Sequence, residues 1–137
     1  MKTFSLYTHY KKILADTITP VSIYLKIRDK FPNSILLESS DYHANDNSFS
    51  YICFNPIASI KVDDTSITQK FPDGSEMKNK VRNVTEMIHK FTKRFKVKSE
   101  KEFKFINNGI FGYTAYDAVK HFEDVEITKK PDSLDIP

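Results

Sequence analysis

Two short apolar runs, separated by a polar stretch, most limit what this chain can fold into. The first run, Ile35-Leu36-Leu37, ends abruptly at Glu38-Ser39, and the second run extends from Phe49 to Phe54. Apolar runs of this length, bounded by turn-forming residues, indicate buried strands. We therefore predict a strand over 34–39 that is buried on both faces, with polar groups at its end. Such an arrangement is typical of a small-molecule site, which combines apolar walls with a few fixed polar groups.

Two amphipathic helices are predicted. A helix over 17–31 can be capped by Thr19 and begin at Pro20, which fits the first helical position. A second helix over 81–95 carries apolar residues at spacings of 3, 4, 3 and 4. The residues predicted to face the core are Val21, Tyr24, Leu25 and Ile27 in the first helix and Val81, Val84, Ile88, Phe91 and Phe95 in the second; Arg82, Lys90, Lys93 and Arg94 are predicted to face solvent.

The other segments predict further strands and one short helix. The first of them are an extended segment over 2–16, a loop over 41–47, and a long strand or bent pair over 48–62 that bends at Asn55-Pro56. Next come a strand over 65–71 with Ile67 and Phe71 on one side, a turn at Pro72-Asp73-Gly74, and a connection leading into a strand over 97–105. The last are a strand over 109–116 with close backbone approach at Gly112 and a helix over 118–123 capped by Asp117, with Ala118, Val119 and Phe122 inward.

This order of elements indicates the fold class. Strands come in runs rather than alternating with helices, so we predict an α+β fold with an antiparallel or mixed sheet core and helices packed on it. The 137 residues suffice for one domain with a real core, and we predict a single domain over 1–137.

Composition excludes several classes of function. No apolar run approaches the roughly 20 residues that span a bilayer, and the N-terminus lacks the apolar stretch of a signal peptide. The four histidines are scattered and the three glycines nearly exclude a phosphate-binding loop, so we predict no catalytic residue, metal site or cofactor in this chain. The one cysteine, Cys53, is predicted to be a buried structural thiol rather than a nucleophile. We predict a cytoplasmic protein without a membrane partner.

Residues 78–104 carry ten Lys or Arg against three Glu. A basic module that uses the helix over 81–95 to bind nucleic acid or an acidic partner is therefore an alternative function. The aromatic residues of this helix lie on its apolar stripe rather than among the basic residues, so they cannot form an exposed stacking platform. A solvated helix face without a nucleic-acid partner is the favoured interpretation.

Glu38 and Ser39 form the most informative polar pair. A carboxylate at the end of a buried strand can accept hydrogen bonds from a ligand ammonium, and the adjacent hydroxyl can both donate and accept. The apolar residues of the adjoining strands would receive a ring. An exposed glutamate at a strand end is the competing interpretation.

Three ordered motifs carry a resemblance to a known family. They are SILLESSD at 34–41, SFSYICFNPIASI at 48–60 and GIFGYTAYDAVKHFE at 109–123. In their residues and in their order they resemble motifs of the N-terminal domain of anthranilate synthase component I, and p-aminobenzoate synthase component I shares the pattern. The preceding segment, TPVSIYLKIRDKFPNSILLES at 19–39, is closer to the anthranilate form. The p-aminobenzoate enzyme stays open as the alternative.

The resemblance implies a regulatory and structural role in a lyase. The complete enzyme would convert chorismate to anthranilate and pyruvate for tryptophan biosynthesis, with ammonia from a glutamine amidotransferase subunit. Its chorismate and Mg²⁺ sites would lie in a larger C-terminal catalytic domain, none of whose motifs occurs in residues 1–137. The chain is therefore expected to correspond to the N-terminal region and to be catalytically inactive alone.

The resemblance also implies an inhibitor site. Leu37, Glu38 and Ser39 match a family motif that forms part of the site for tryptophan as feedback inhibitor, with Phe49 and Ser50 as a possible second-strand wall. The family often has a basic residue where this chain has Ser48, Phe49 and Ser50. The rest of the site would come from the catalytic domain, so we expect this chain alone to bind tryptophan weakly or not at all.

A second family segment is matched by Gly112, Tyr113, Tyr116 and Asp117, near the junction with the catalytic domain. Core packing of these residues is the favoured interpretation. If the catalytic domain covers them instead, the chain alone should expose an apolar patch here and self-associate.

Overall fold

The computed structural model describes residues 2–38, 49–98, 108–125 and 127. These residues form an α+β fold, as predicted, but the described strands build three small sheets instead of one sheet core. The chain divides into two compact units. Unit 1 comprises Met1–Leu6, Ile57–Lys98 and Tyr113–Pro137, and unit 2 comprises Tyr7–Pro56 and Ser99–Gly112.

The elements follow one another in the order β1 (Phe4–Tyr7), α1 (Pro20–Ile27), β2 (Ile35–Glu38), β3 (Ser50–Cys53), β4 (Ser59–Val62), β5 (Ser66–Lys70), β6 (Glu76–Lys80), α2 (Val84–Thr92), β7 (Phe95–Lys98) and a 3₁₀ helix (Tyr116–His121). Strand β1 pairs with β7, and β2 pairs with β3 in antiparallel orientation. Strands β4, β5 and β6 form an antiparallel three-stranded sheet with β5 at its centre.

The core of unit 1 lies around β5. Ile67 is completely buried, and Phe71, Val84 and Phe91 are nearly so. The predicted alternation of Ile67 and Phe71 on one side of this strand is confirmed, because both face the core. The ring of Phe71 packs against that of Phe91, with 5.6 Å between centroids. This contact joins the end of β5 to helix α2.

A tight turn at 72–75 leads from β5 into β6. Gly74 has a φ of 78°, the left-handed conformation that glycine adopts without steric cost, as the Pro-Asp-Gly sequence predicted. Asp73 accepts hydrogen bonds from the Nζ of Lys2 and from Ser75, and these bonds hold the pKa of Asp73 well below its usual range. Strand β6 was not predicted, because all five of its residues are exposed and its sequence has no apolar alternation.

Helix α2 is shorter than the predicted helix over 81–95. It begins after Asn83, whose side chain accepts a hydrogen bond from the backbone N–H of Glu86, and it ends at Thr92. The backbone N–H of Val81 instead donates to Thr65, and Phe95 begins β7. The apolar stripe is confirmed, since Val84 and Phe91 are buried.

The prediction that Arg94 faces solvent is wrong. Arg94 is only 8% exposed, and its guanidinium carbon lies 3.8 Å from the centroid of the Phe71 ring. Its Nε donates to the backbone carbonyl of Lys2 over 3.1 Å, and its backbone carbonyl accepts from the N–H of Phe4 over 2.7 Å. Because α2 ends at Thr92, the chain turns and carries Arg94 off the solvent side of the helix and into the core.

Helix α1 belongs to unit 2 and begins as predicted. The Thr19 hydroxyl accepts from the N–H of Ser22, the Ser22 hydroxyl accepts from the N–H of Thr19, and Pro20 is the first helical residue. The helix ends at Ile27, four residues before the predicted end at 31. Its predicted core face is wrong in part, because Val21 and Leu25 are exposed. The half-buried apolar positions are Ile23, Tyr24 and Ile27.

The segment over 48–62 forms two strands, β3 and β4, separated at Asn55, which has a φ of 51°, and Pro56; this confirms the bent pair, one of the two predicted alternatives. Two other predicted strands differ from the structure. Of the extended segment over 2–16, only β1 is a strand. The strand over 34–39 is β2, which is half-buried at Ile35 and Leu36 and exposed at Leu37 and Glu38, so its predicted burial on both faces is wrong.

The predictions for 109–123 are wrong in four respects. The residues before the 3₁₀ helix form no strand, and a side chain at Gly112 would meet no atom within 4 Å, so no close backbone approach occurs there. Asp117 lies inside the 3₁₀ helix rather than capping it, and Phe122 is exposed. The predicted loop over 41–47 and the part of the 97–105 prediction beyond Lys98 lie outside the described residues.

We expect Arg94→Lys to lower the free energy of unfolding by about 1–3 kcal/mol, measured by urea denaturation followed by circular dichroism. Lysine lacks the planar group that stacks on Phe71 and the Nε that donates to the Lys2 carbonyl. The matched control is Arg82→Lys at an exposed arginine, which should change stability by less than about 0.5 kcal/mol. Equal effects of the two substitutions would contradict the structural role of Arg94.

Candidate functional site

Strands β2 and β3 bring four of the five predicted site residues together in unit 2. Their register places Glu38 opposite Ser50 and Leu37 opposite Tyr51. Residues directly opposite one another in an antiparallel pair point to the same face of the sheet. Glu38 therefore shares a face with Ser50, and Leu37 shares the other face with Tyr51. The fifth predicted residue, Ser39, lies outside the described residues.

This geometry limits how a ligand can use Glu38 and Leu37. Consecutive strand residues point to opposite faces, so a ligand lying flat on one face meets only one of these two side chains. A ligand that contacts both must lie at the end of the two strands, where β2 stops at Glu38 and β3 begins at Ser50. The candidate site is therefore the end of the β2–β3 pair rather than either of its faces.

The carboxylate of Glu38 is available for a ligand. Glu38 is exposed, and it makes no hydrogen bond or ion pair within the described part of the chain. An unpaired carboxylate can accept charge-assisted hydrogen bonds from a primary ammonium group. Beside it, Leu37 is 36% exposed and Phe49 is 38% exposed, which leaves apolar surface next to the charged group.

Aromatic side chains support the site from one side, and sequence reasoning missed two of them. The rings of Tyr51 and Phe111 lie 5.7 Å apart, so the segment after Asn108 packs against β3. Tyr51 stands opposite Leu37 and is half-buried. Its position two residues after Phe49 in an alternating strand was the available signal. Nothing in the local pattern indicated Phe111, because its contact depends on a long-range approach of the chain.

No basic residue occurs in β2 or β3, whose sequences are ILLE and SYIC. A ligand carboxylate bound between these two strands would therefore lack a charged partner from them. Phe49 and Ser50 are both exposed, and neither carries a positive charge that could pair with a ligand carboxylate. That the two strands form only part of an amino-acid site stays a prediction.

Cys53 does not have the environment of a nucleophile. It lies at the end of β3 opposite Ile35, is half-buried, and is a free thiol. Burial raises the pKa of the Cys53 thiol, which lowers the fraction of reactive thiolate at neutral pH. Its surroundings are those of a packing residue.

The described ranges contain neither a metal-binding group of side chains nor a membrane-spanning helix. Across 2–38, 49–98 and 108–125, no group of three or more His, Cys, Asp or Glu side chains has a metal-binding arrangement. Within these same ranges, neither helix is long and apolar enough to cross a membrane.

Curated proteins with similar sequences are anthranilate synthases. The chain is 28% identical over 133 residues to anthranilate synthase component 1 of Aquifex aeolicus, a match that covers 97% of this chain and 26% of that protein. It is 32% identical over 126 residues to the protein of the same name from Pseudomonas putida, covering 90% of this chain and 25% of that protein. The Thermus thermophilus protein is 30% identical over 127 residues, with 93% and 26% covered.

The chain thus spans about a quarter of the length of the curated relatives it matches. No family model matches the chain, and no solved structure does. The resemblance predicted from the three motifs is confirmed by these relatives, which share one name. Over nine tenths or more of its length, this chain is therefore related to anthranilate synthase component 1.

Proposed function

We propose that this chain is the N-terminal regulatory and structural domain of an anthranilate synthase component 1. In this role it contributes to a lyase that converts chorismate and ammonia to anthranilate and pyruvate in tryptophan biosynthesis. The observation that carries the proposal is the similarity of 90–97% of the chain to proteins of that one name. The cytoplasm is the proposed location.

The reaction itself is assigned to the remaining three quarters or so of such a polypeptide. That part would hold chorismate and Mg²⁺, and a glutamine amidotransferase subunit would deliver ammonia. The chain described here would contribute stability and regulation rather than reacting groups.

Regulation is proposed to act at the end of the β2–β3 pair. The Glu38 carboxylate would accept hydrogen bonds from the ammonium group of tryptophan, and the exposed side chains of Leu37 and Phe49 would contact its ring. The catalytic domain would supply the group that binds the tryptophan carboxylate, since β2 and β3 contain no basic residue. Tryptophan would then bind one arrangement of the two domains better than the other and shift the enzyme toward it.

Two alternatives are less well supported. A p-aminobenzoate synthase would use the same fold and substrate, but the named relatives are all anthranilate synthases. A basic module using the helix over 81–95 loses part of its charge, because Arg94 is buried and Lys90 is paired with Glu86 at 2.6 Å.

The complete polypeptide encoded by the reading frame of this chain provides a test of the proposed identity. We expect the complete polypeptide to contain a chorismate-binding domain after Pro137 and to form anthranilate from chorismate, ammonium and Mg²⁺, measured by the fluorescence of the product. The 137-residue chain alone should form none. A complete polypeptide that releases p-aminobenzoate, identified by chromatography, would overturn the assignment to tryptophan biosynthesis.

In the complete enzyme, we expect Glu38→Ala and Ser39→Phe each to raise the tryptophan concentration needed for half inhibition by tenfold or more. Loss of one charge-assisted hydrogen bond, which is worth about 1.5–3 kcal/mol, accounts for this size of effect at Glu38. Uninhibited activity should stay near that of the parent enzyme.

The matched control for these variants is Glu76→Ala, which removes an exposed glutamate from strand β6 of unit 1. Its inhibition curve should coincide with that of the parent enzyme. Unchanged inhibition in Glu38→Ala would count against the Glu38 site.

The chain by itself should give no measurable heat of tryptophan binding at micromolar concentrations in titration calorimetry. The reason is that β2 and β3 offer an ammonium acceptor but no cation for the tryptophan carboxylate. Micromolar binding that Glu38→Ala abolishes would show that the described strands form a complete site and would contradict the shared-site proposal.

A further inference from the structure

Large apolar side chains lie exposed along residues 113–125 of unit 1. Tyr116 is 91% exposed, Tyr113 is 68% exposed, Phe122 is 54% exposed and Val125 is 47% exposed. We call these four residues the tyrosine surface. Exposed apolar side chains scattered singly are normal on a protein, but four of them within one short segment are the pattern expected of an interaction surface. The packing of Tyr113 and Tyr116 in the core, favoured from the sequence, is therefore wrong.

The segment that carries the tyrosine surface is fixed to the rest of unit 1. The Nζ of Lys120 lies 3.1 Å from a carboxylate oxygen of Asp64, in the turn between β4 and β5, and 3.1 Å from one of Asp117. These two bonds raise the pKa of Lys120, so the pairing persists at neutral pH. The N–H groups of Phe122 and Glu123 both donate to the carbonyl of Val119, which closes the end of the 3₁₀ helix.

The two tyrosines have no competing role inside the chain. Neither Tyr113 nor Tyr116 makes a hydrogen bond or a ring contact within the described residues. Tyrosine combines a large apolar ring with a polar tip at a low cost in conformational entropy, and it is enriched in the centres of protein interfaces. Tyr116 at the start of the 3₁₀ helix and Tyr113 just before it therefore present exposed contact area.

The described charged residues next to the tyrosine surface in the sequence are mainly acidic. Glu123 and Asp124 are exposed beside it, while the nearby cation, Lys120, is already engaged by two carboxylates. A surface that covers the two tyrosines should therefore be apolar at its centre and carry Lys or Arg at its rim.

We propose that the tyrosine surface is where the remaining part of the anthranilate synthase component 1 polypeptide docks on this chain, through an apolar patch with a basic rim. This rests on the proposed function, which supplies the occupant. The relatives that this chain matches are about four times its length, because the match covers 25–26% of each. A domain boundary within one polypeptide is typically an interface of mixed polar and apolar character, which suits tyrosine side chains.

Hydroxyl-radical footprinting with mass spectrometry tests this assignment. In the 137-residue chain, Tyr113 and Tyr116 should be labelled rapidly, as their exposure requires. In the complete polypeptide encoded by the same reading frame, labelling at both should fall severalfold. Leu14, which is 84% exposed in unit 2, serves as an internal reference within both proteins.

A variant provides the second measurement. Tyr113→Ser/Tyr116→Ser should lower the thermal midpoint of the complete polypeptide and change that of the 137-residue chain little, because both rings are mostly exposed and neither makes a hydrogen bond or a ring contact within the described residues. The matched control, Leu14→Ser, should lower neither midpoint by a comparable amount.

The outcomes separate the two proposals. A complete polypeptide that makes anthranilate while Tyr116 stays fully labelled would overturn the docking surface and leave the proposed function standing. Protection of Tyr116 in a complete polypeptide that makes no anthranilate would overturn the proposed function and leave the docking surface standing. Protection that grows with the concentration of the 137-residue chain would assign the surface to a second copy and overturn the docking proposal.

Discussion

The stacking of Arg94 on Phe71 is the contact on which unit 1 depends. The guanidinium covers one aromatic ring, and the same residue bonds to the first strand through both its side chain and its backbone carbonyl. A desolvated cation over an aromatic face contributes about 2 kcal/mol, and no ion pair to Arg94 occurs among the described residues. One residue thus ties the end of helix α2 to the central strand β5 and to the segment that begins at Lys2.

The candidate site depends on a different constraint, the register of β2 and β3. Glu38 and Leu37 are consecutive strand residues and lie on opposite faces, and the register places Glu38 with Ser50 on one face and Leu37 with Tyr51 on the other. Sequence proximity alone suggested that the two act together on one ligand. Because side chains alternate along a strand, both residues can contact one ligand only at the end of the strands, where Phe49 also leaves apolar surface exposed. A site at a strand end leaves room for groups from a second domain, as the proposed shared inhibitor site requires.

Prediction succeeded where a local rule acts on a few neighbouring residues. Thr19 before Pro20 marks the start of α1, and Gly74 after Pro72-Asp73 takes the positive φ of a turn. It failed where distant contacts decide. Strand β6 has no apolar pattern of its own and forms because it pairs with β5, and Gly112 lies in an open segment despite a sequence that favours a strand.

By itself, the sequence determined the α+β class, the start of α1, the main turn and the relationship to anthranilate synthase component 1, because these follow from short-range chemistry and from ordered motifs. Only the tertiary structure decided that Arg94 is buried, that Glu38 stands opposite Ser50, and that Tyr116 is exposed. The physical reason is that burial belongs to a position in three dimensions and not to a residue type. A basic residue can be buried when an aromatic ring and a carbonyl receive it, and a tyrosine can be exposed when nothing in its own chain covers it.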